Sequence, residues 1–410
     1  MNSAVIAIRS LLAATFMLMA GSGFLQTLIS LRLERANVDT LSIGMVATAY
    51  FAGLIVGSLR AAPMVYRVGH IRAFAAFVSL FSASSLAYML YQSAPFWGVL
   101  RFVDGLCIAG IFICLESWLN ERASQQFRAG ILASYMISLY LGQAAGQFLL
   151  HVSDARPSLP FLAASILISL ALIPVVLTRI AAPTPGNDKP LTIGDLYAVS
   201  PLGAVGTVAT GLMLGAFYGL GAVHVRRIGL DLSQTAFFMS VVIAGGVALQ
   251  WPLGRLSDRF DRRRVIVCVF AGAAIFSAGL AVVQQEGALL LLGLLYGGFS
   301  FALYPLCVAH TNDHLEPERR VAASGGLVLL YSLGAVIGPI AGAQAMTVLG
   351  DIGLFAYIGC CAAAMFAFGL WRQFKSAPVP AIAQGQYHIL PRTTPIAATL
   401  APHGADHKGI

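Results

Sequence analysis

Apolar residues run along this chain in stretches of about twenty, each ending at a cluster of glycine, proline or charge. Such a stretch matches one helix across a bilayer, whose apolar layer of ~30 Å needs about 20 residues at 1.5 Å each. The pattern predicts twelve helices. Six lie near 11–31, 43–62, 73–92, 96–118, 129–150 and 159–179. Six more lie near 201–223, 234–253, 265–284, 287–309, 321–346 and 353–372. The first stretch lacks a convincing cleavage site and has a counterpart at 201–223, so it is read as a span, not a signal peptide.

The second half repeats the first. An ungapped offset of 192 residues places Gly23 on Gly215, Gly53 on Gly245, Gly105 on Gly297, Asn120 on Asn312 and Arg128 on Arg320. The same offset places Arg67 and Arg72 on Arg259 and Arg264, and Gly142 and Gly146 on Gly334 and Gly338. One register held from the first span to near the last means a duplicated unit, and duplicated halves in a membrane protein point to a transport site between them. The expected fold class is all-α integral membrane: twelve transmembrane helices in two pseudo-symmetric six-helix bundles. The first bundle covers 1–180, a linker 181–200, the second bundle 201–372 and a tail 373–410. Pro183, Pro185, Gly186 and Pro190 make the linker a short flexible tether. Pro378, Pro380, Pro391, Pro395 and Pro402, without apolar periodicity, predict a disordered tail.

Composition narrows this further. Hydrophobic residues make up 58% and charged residues 10%, against about 25% charged in soluble domains. Twelve spans use up most of the 410 residues, which excludes a large soluble domain and an ATP-driven pump. All six cysteines fall in apolar stretches and are read as packing residues. With the N-terminus inside, 19 of the 25 Lys and Arg fall on the inner side, five on the outer side, and Arg101 lies within a span. That bias puts both termini in the cytoplasm. Topology thus accounts for the net charge of +8, with no nucleic-acid partner needed.

After the eighth span comes Gly254-Arg255-Leu256-Ser257-Asp258-Arg259-Phe260-Asp261-Arg262-Arg263-Arg264. This resembles the Gly-x-x-x-Asp-Arg/Lys-x-Gly-Arg-Arg loop of the major facilitator superfamily. Physically it is a tight turn whose carboxylate can meet a helix N-terminus and whose Arg259 can pair across the bundle. The first-half copy keeps Arg67, Gly69 and Arg72 but has Ala62 and Tyr66 where the pattern has Gly and Asp. The family's Arg-x-x-x-Gly motif matches Arg101 to Gly105, and its small-residue span matches Gly334, Gly338, Pro339 and Gly342. Small residues at four-residue spacing allow close helix approach, and Pro339 bends the segment. Gln147 stands where the family's antiporter motif has proline, which weakens an efflux reading. Within the superfamily the chain is similar to the YcaD-like bacterial branch, through Arg101-Phe102, Glu116-Ser117, Ala133-Ser134-Tyr135-Met136, Gln250-Trp251-Pro252 and Tyr304-Pro305. The resemblance implies a bacterial cytoplasmic (inner) membrane protein that moves a small-molecule substrate, with H⁺ a candidate coupling ion. It names no substrate.

Ionisable groups inside a bilayer cost several kcal/mol and are functional candidates. Arg101 and Asp104 share a helical face, which suits a structural ion pair, a proton-coupling element or a substrate contact. Glu116 lies about 22 Å further along the same helix, toward the cytoplasmic end, where an arginine of the 67–72 loop can pair with it as a gate. Gln26 and Tyr218, equivalent under the offset, are candidate cavity residues; Gln143, Gln147 and Tyr304 are further candidates for which packing is the favoured reading. The gating candidates are Arg67, Arg72, Glu116, Gly254, Asp258, Arg259, Gly334, Gly338 and Pro339. The chain shows no phosphate loop, metal-ligand spacing or serine elbow, so no cofactor, metal or enzyme activity is expected. A single chain is the expected working unit. The competing reading is a receptor or membrane enzyme on the same fold.

Overall fold

The computed structural model describes residues 3–123, 127–153, 156–178, 191–316, 319–375 and 384–394. The first half holds α1 (Ser3–Arg35), α2 (Thr40–Val68), α3 (His70–Ala87), α4 (Ala94–Arg122), α5 (Arg128–Gln147) and a sixth span made of α6 (Leu159–Leu170) and α7 (Leu172–Val176). A short α8 (Ile193–Val199) leads to the second half: α9 (Pro201–Arg227), α10 (Leu232–Arg259), α11 (Arg262–Val282), α12 (Glu286–Asn312), α13 (Arg320–Leu349) and α14 (Gly353–Lys375). Ten stretches are long and apolar enough to cross a bilayer, one of them, 320–375, holding both α13 and α14. The glycine- and glutamine-bearing α5 completes the twelve spans.

Local chemistry sets the helix starts. Asp39 caps α2 through the Ser42 amide, and Ser93 caps α4, whose first turn carries Pro95. Asp231 and Gln234 form a reciprocal capping box on α10. The helices begin and end a few residues beyond the sequence boundaries because the charged ends, such as Arg32–Arg35 and Arg226–Arg227, continue the helical turn.

The duplication is visible in atomic contacts. A Cβ added to Gly53 would strike the Phe102 carbonyl, and one on Gly245 would strike that of Leu294. Gly105 faces the Tyr50 carbonyl and Gly297 that of Val242. Gly142 and Gly146 lie against Phe16 and Ala20, and Gly334 and Gly338 against Val208 and Leu212. Each pair of partners is itself related by 192 residues. The same pairs of helices therefore cross at the same glycines in both bundles: α2 on α4 as α10 on α12, and α1 on α5 as α9 on α13.

The bundles meet along α2 with α13, α5 with α10, and α1 with α9. Their contacts concentrate at the end of the molecule that carries the α1–α2 turn, here the far end. There Arg227 grips Glu34 through two hydrogen bonds of 2.7 and 3.0 Å and donates to Thr40 at 2.9 Å. Ser30 donates to the Gly219 carbonyl, Thr48 to that of Val336, and His151 meets Ser233 at 2.6 Å. Gly44 lies so close to Pro339 and Ala343 that no side chain fits between. The far end is sealed.

Two regions differ from expectation. Part of the linker is helical: Thr192 and Asp195 cap α8 reciprocally, and Leu196 is buried against Gly326. That box was present in the sequence but masked by the surrounding prolines. Residues 181–190 of the tether lie outside the described residues. Residues 384–394, expected to be disordered, instead enter the molecule from the near end, where α4 and α12 finish.

Candidate functional site

A cavity lies at mid-depth on the seam between the bundles. α1 contributes Met19, Ser22, Gly23 and Gln26; α2 contributes Tyr50, Phe51 and Leu54. α4 contributes Arg101, Ile108 and Phe112, and α5 contributes Leu139, Tyr140 and Gln143. The second bundle supplies Tyr218 from α9 and Tyr331 from α13, and the tail supplies Pro391, Arg392 and Thr393. The open space is about 140 Å³. That is below the ~300–1,000 Å³ of common small-molecule sites, and three tail residues form part of the lining. A second hollow of about 200 Å³, between Arg226, Arg227 and Glu34, lies in the far-end seal. Its ion-paired walls mark it as part of that seal rather than a solute site.

Three polar atoms at the cavity are buried without hydrogen-bond partners: Oε1 of Gln26, Nε of Arg101 and, from the tail, Nη1 of Arg392. An unmet buried polar atom costs about 1–3 kcal/mol, so each favours a partner. The Arg101 guanidinium lies 4.2 Å above the Tyr50 ring. Its Nη1 reaches Asp104 at 3.5 Å, with both side chains buried. Asp104 also accepts from Ser84 and Tyr88, each at 2.6 Å. All three donors belong to the first bundle, and the carboxylate points toward α3 rather than the cavity. This geometry supports the structural reading of the pair: Asp104 is a post that holds Arg101 at the wall.

Tyr218 donates to Gln143 Oε1 at 3.4 Å, joining the two bundles across the cavity floor. Gln147 does not reach the cavity. Its amide donates to the Gly23 carbonyl at 3.2 Å, bracing α5 on α1. Tyr304 stands behind Tyr331, with ring centres 5.5 Å apart. Glu116 is fully buried at the near-end mouth, accepting from Tyr135 at 2.8 Å and from the hydroxyls of Thr393 and Thr394.

The loop after α10 forms a charge relay around a buried arginine. Arg262, 1% exposed, donates to Asp258 at 2.8 Å and to Asp313 at 2.6 Å. Asp313 lies just past α12, where burial raises its acid pKa against the pull of Arg262. Asp261 caps α11 and accepts from the Arg263 backbone and side chain. The tail binds the same relay. Gly385 donates its amide to Asp313 and accepts from Arg262, and the Tyr387 amide donates to Asp258. The Tyr387 ring covers Gly254, where a Cβ would collide with it.

The sequence profile of the "Major Facilitator Superfamily" matches this chain twice, over residues 11–251 and 203–389. The chain belongs to the major facilitator superfamily. It is 31% identical over 353 residues to an "Uncharacterized MFS-type transporter YcaD" from Escherichia fergusonii, covering 85% of this chain and 91% of that one. The YcaD protein of Salmonella enteritidis is 30% identical with the same coverage. Among solved structures, the nucleoside transporter NupG superposes with a TM-score of 0.74 at 14% identity, covering 92% of this chain and all of that one. A bacterial homologue of the lysosomal transporter Spinster, inward-facing and occupied, gives 0.73 at 13% identity over 91% of this chain and 98% of that one. At these identities the superpositions establish the fold alone.

The superfamily loop departs from two expectations. The buried arginine that pairs across the second bundle is Arg262; Arg259 is exposed. Arg259 ends the last turn of α10 on its exposed side, whereas Arg262 opens α11 and turns inward. In the first bundle, Arg67 and Arg72 are exposed and make no ion pair with Glu116 among the described residues. The offset explains why. Asp258, Arg262 and Asp313 correspond to Tyr66, His70 and Glu121. Tyr66 packs edge-on to His70 at 5.6 Å, and His70 lies 5.9 Å from Trp118. A cluster of edge-on and tilted rings thus stands where the second bundle has its charge relay, and the two equivalent loops are chemically unequal.

Of the candidates named from the sequence, Gln26, Gln143, Tyr218 and Arg101 line the cavity, although the sequence alone favours packing for Gln143 and an ion pair for Arg101. Sequence reasoning missed Tyr50, Phe112 and Tyr140, which look like ordinary apolar-stretch aromatics, and it missed Arg392. The signal for Arg392 was weak: a lone arginine followed by two threonines in an aperiodic tail.

Proposed function

We propose that this chain is a secondary active transporter of a small organic solute in a bacterial inner membrane, with both termini cytoplasmic. One observation carries the reading: a cavity on the seam of two duplicated bundles, sealed at the far end, with unmet polar atoms of Gln26 and Arg101 at its wall. A site on a pseudo-symmetry seam is reached from alternate sides when the bundles rock. The near end is then cytoplasmic, in keeping with its surplus of Arg and Lys. Arg101 and Gln26 contact the solute, Tyr218 and Gln143 join the bundles around it, and Asp104 positions Arg101. Asp258, Arg262 and Asp313 brace the near-end gate. The names of the solved relatives, a nucleoside transporter and a "D-xylose-proton symporter", fit a polar solute and a proton as coupling ion.

The test is flux. Proteoliposomes holding the full chain, and a chain ending at Lys375, are exposed to a metabolite mixture, and the lumen is read by mass spectrometry. At least one solute enters faster than into protein-free liposomes, and Arg101→Ala abolishes that entry. No enrichment with either chain contradicts the reading.

A further inference from the structure

The tail brings a cation into the cavity. The guanidinium carbon of Arg392 lies 4.9 Å from the centre of the Phe301 ring and 5.5 Å from that of Tyr331. Its Nη2 donates to the Tyr140 hydroxyl at 3.3 Å, while Nη1 is buried without a hydrogen-bond partner. No carboxylate lies within ion-pair distance of it among the described residues. Rings from α5, α12 and α13 hold it instead. A delocalised cation over two ring faces is the kind of arrangement aromatic cages use to bind organic cations.

The neighbouring residues complete a polar template. Thr393 and Thr394 donate their hydroxyls to Glu116, so the buried carboxylate at the mouth draws two hydrogen bonds from the tail. Without the tail, Glu116 loses both donors, and the rings lose their cation. Arg101 does not oppose a new cation strongly, because Asp104 lies against it. The segment is also anchored at the mouth: Gly385 joins Arg262 to Asp313, and Tyr387 covers Gly254. Eight residues lie between Lys375 and Gln384, nine steps with a reach of up to ~30 Å at 3.3–3.6 Å each, which tethers the segment to the end of α14.

We propose that the cavity is a binding site for a small organic cation, a guanidinium or amine, and that Arg392 with Thr393 and Thr394 is its tethered stand-in, blocking the site until the tail withdraws. The proposal rests on the transport reading only in taking this cavity as the solute site.

Equilibrium binding of radiolabelled N-methylguanidinium to the purified full-length chain tests it, read by scintillation proximity. Arg392→Ala should bind the probe at least tenfold more tightly than the wild type. Arg392→Lys, which keeps a cation on the tether, should stay within twofold of the wild type. Glu116→Gln added to Arg392→Ala should remove at least fivefold of the gain. N-methylurea, similar in shape but neutral, should not compete. Equal binding by wild type and Arg392→Ala, or competition by N-methylurea as strong as by unlabelled probe, overturns the proposal. If Arg392→Ala is not monodisperse, Arg392→Gln carries the same expectation. Binding needs no flux, so the two readings fail separately. A chain that binds the cation but moves nothing sinks the transport reading. One that moves neutral solutes and ignores the probe sinks this one.

Discussion

At the residue scale, the sequence spoke most clearly through its glycines. Apart from Gly23, which faces the Gln143 side chain, each repeated glycine sits where a neighbouring helix backbone leaves no room for a Cβ. Gly105→Val should therefore destabilise the protein by about 1–3 kcal/mol or more, through overpacking against Tyr50. Gly130→Val, where nothing stands within 4 Å, should change stability little. Thermal unfolding in detergent compares the two. The charged candidates were legible as candidates but not as roles. Arg101 and Asp104 share a face in the sequence, yet only the fold shows Ser84 and Tyr88 closing around the carboxylate. Asp104→Asn leaves the buried Arg101 uncompensated and should cost ~3–5 kcal/mol. Ser84→Ala should cost about 1 kcal/mol. If Asp104→Asn keeps wild-type stability and instead loses pH-driven accumulation, Asp104 is a coupling residue and not a post.

At the element scale, helix number and order followed from the apolar pattern, because a bilayer forces each span to satisfy its own backbone. The loop after α10 was recognisable by spacing, but the arginine that does the pairing was not. Which of five neighbouring cations turns inward depends on where α11 starts, and Asp261 sets that start by capping it. Arg262→Ala should cost ~3–5 kcal/mol by stranding Asp313, and Asp313→Asn in the same chain should recover part of the loss. Additive losses in that double-mutant cycle would contradict direct coupling. Asp261 also gives a pH signature. Burial raises its pKa, but hydrogen bonds from Arg263 outweigh burial, and the carboxyl titrates below its usual range. Its folded-state value is depressed, so its stabilisation is present above roughly pH 4 and lost as pH falls through the folded value. Asp261→Asn should flatten that acid limb of a stability-against-pH curve. An unchanged limb would mean the loss has another source.

At the scale of the whole molecule, the duplication was fully legible, since one offset matched residues and, in the structure, their contact partners. The relation between the bundles was not legible. The far-end clamp of Arg227 on Glu34, and the tail's route to Glu116, join residues nearly two hundred or more positions apart through single side chains, and no periodicity marks them. The account's central claim is that the two bundles rock about the cavity, sealed now at the far end. Spin labels at offset-related positions measure this directly: Ala36→Cys with Ile228→Cys at the far end, and Arg72→Cys with Arg264→Cys at the near end. The exposed Cys268 and Cys360 are first replaced by alanine. Each pair is measured by double electron–electron resonance with and without Arg227→Ala, in a chain carrying Arg392→Ala to clear the mouth. Breaking the clamp should add a longer population at the far end and a shorter one at the near end. Distances that stay fixed, or that lengthen at both ends together, would contradict rocking about this cavity.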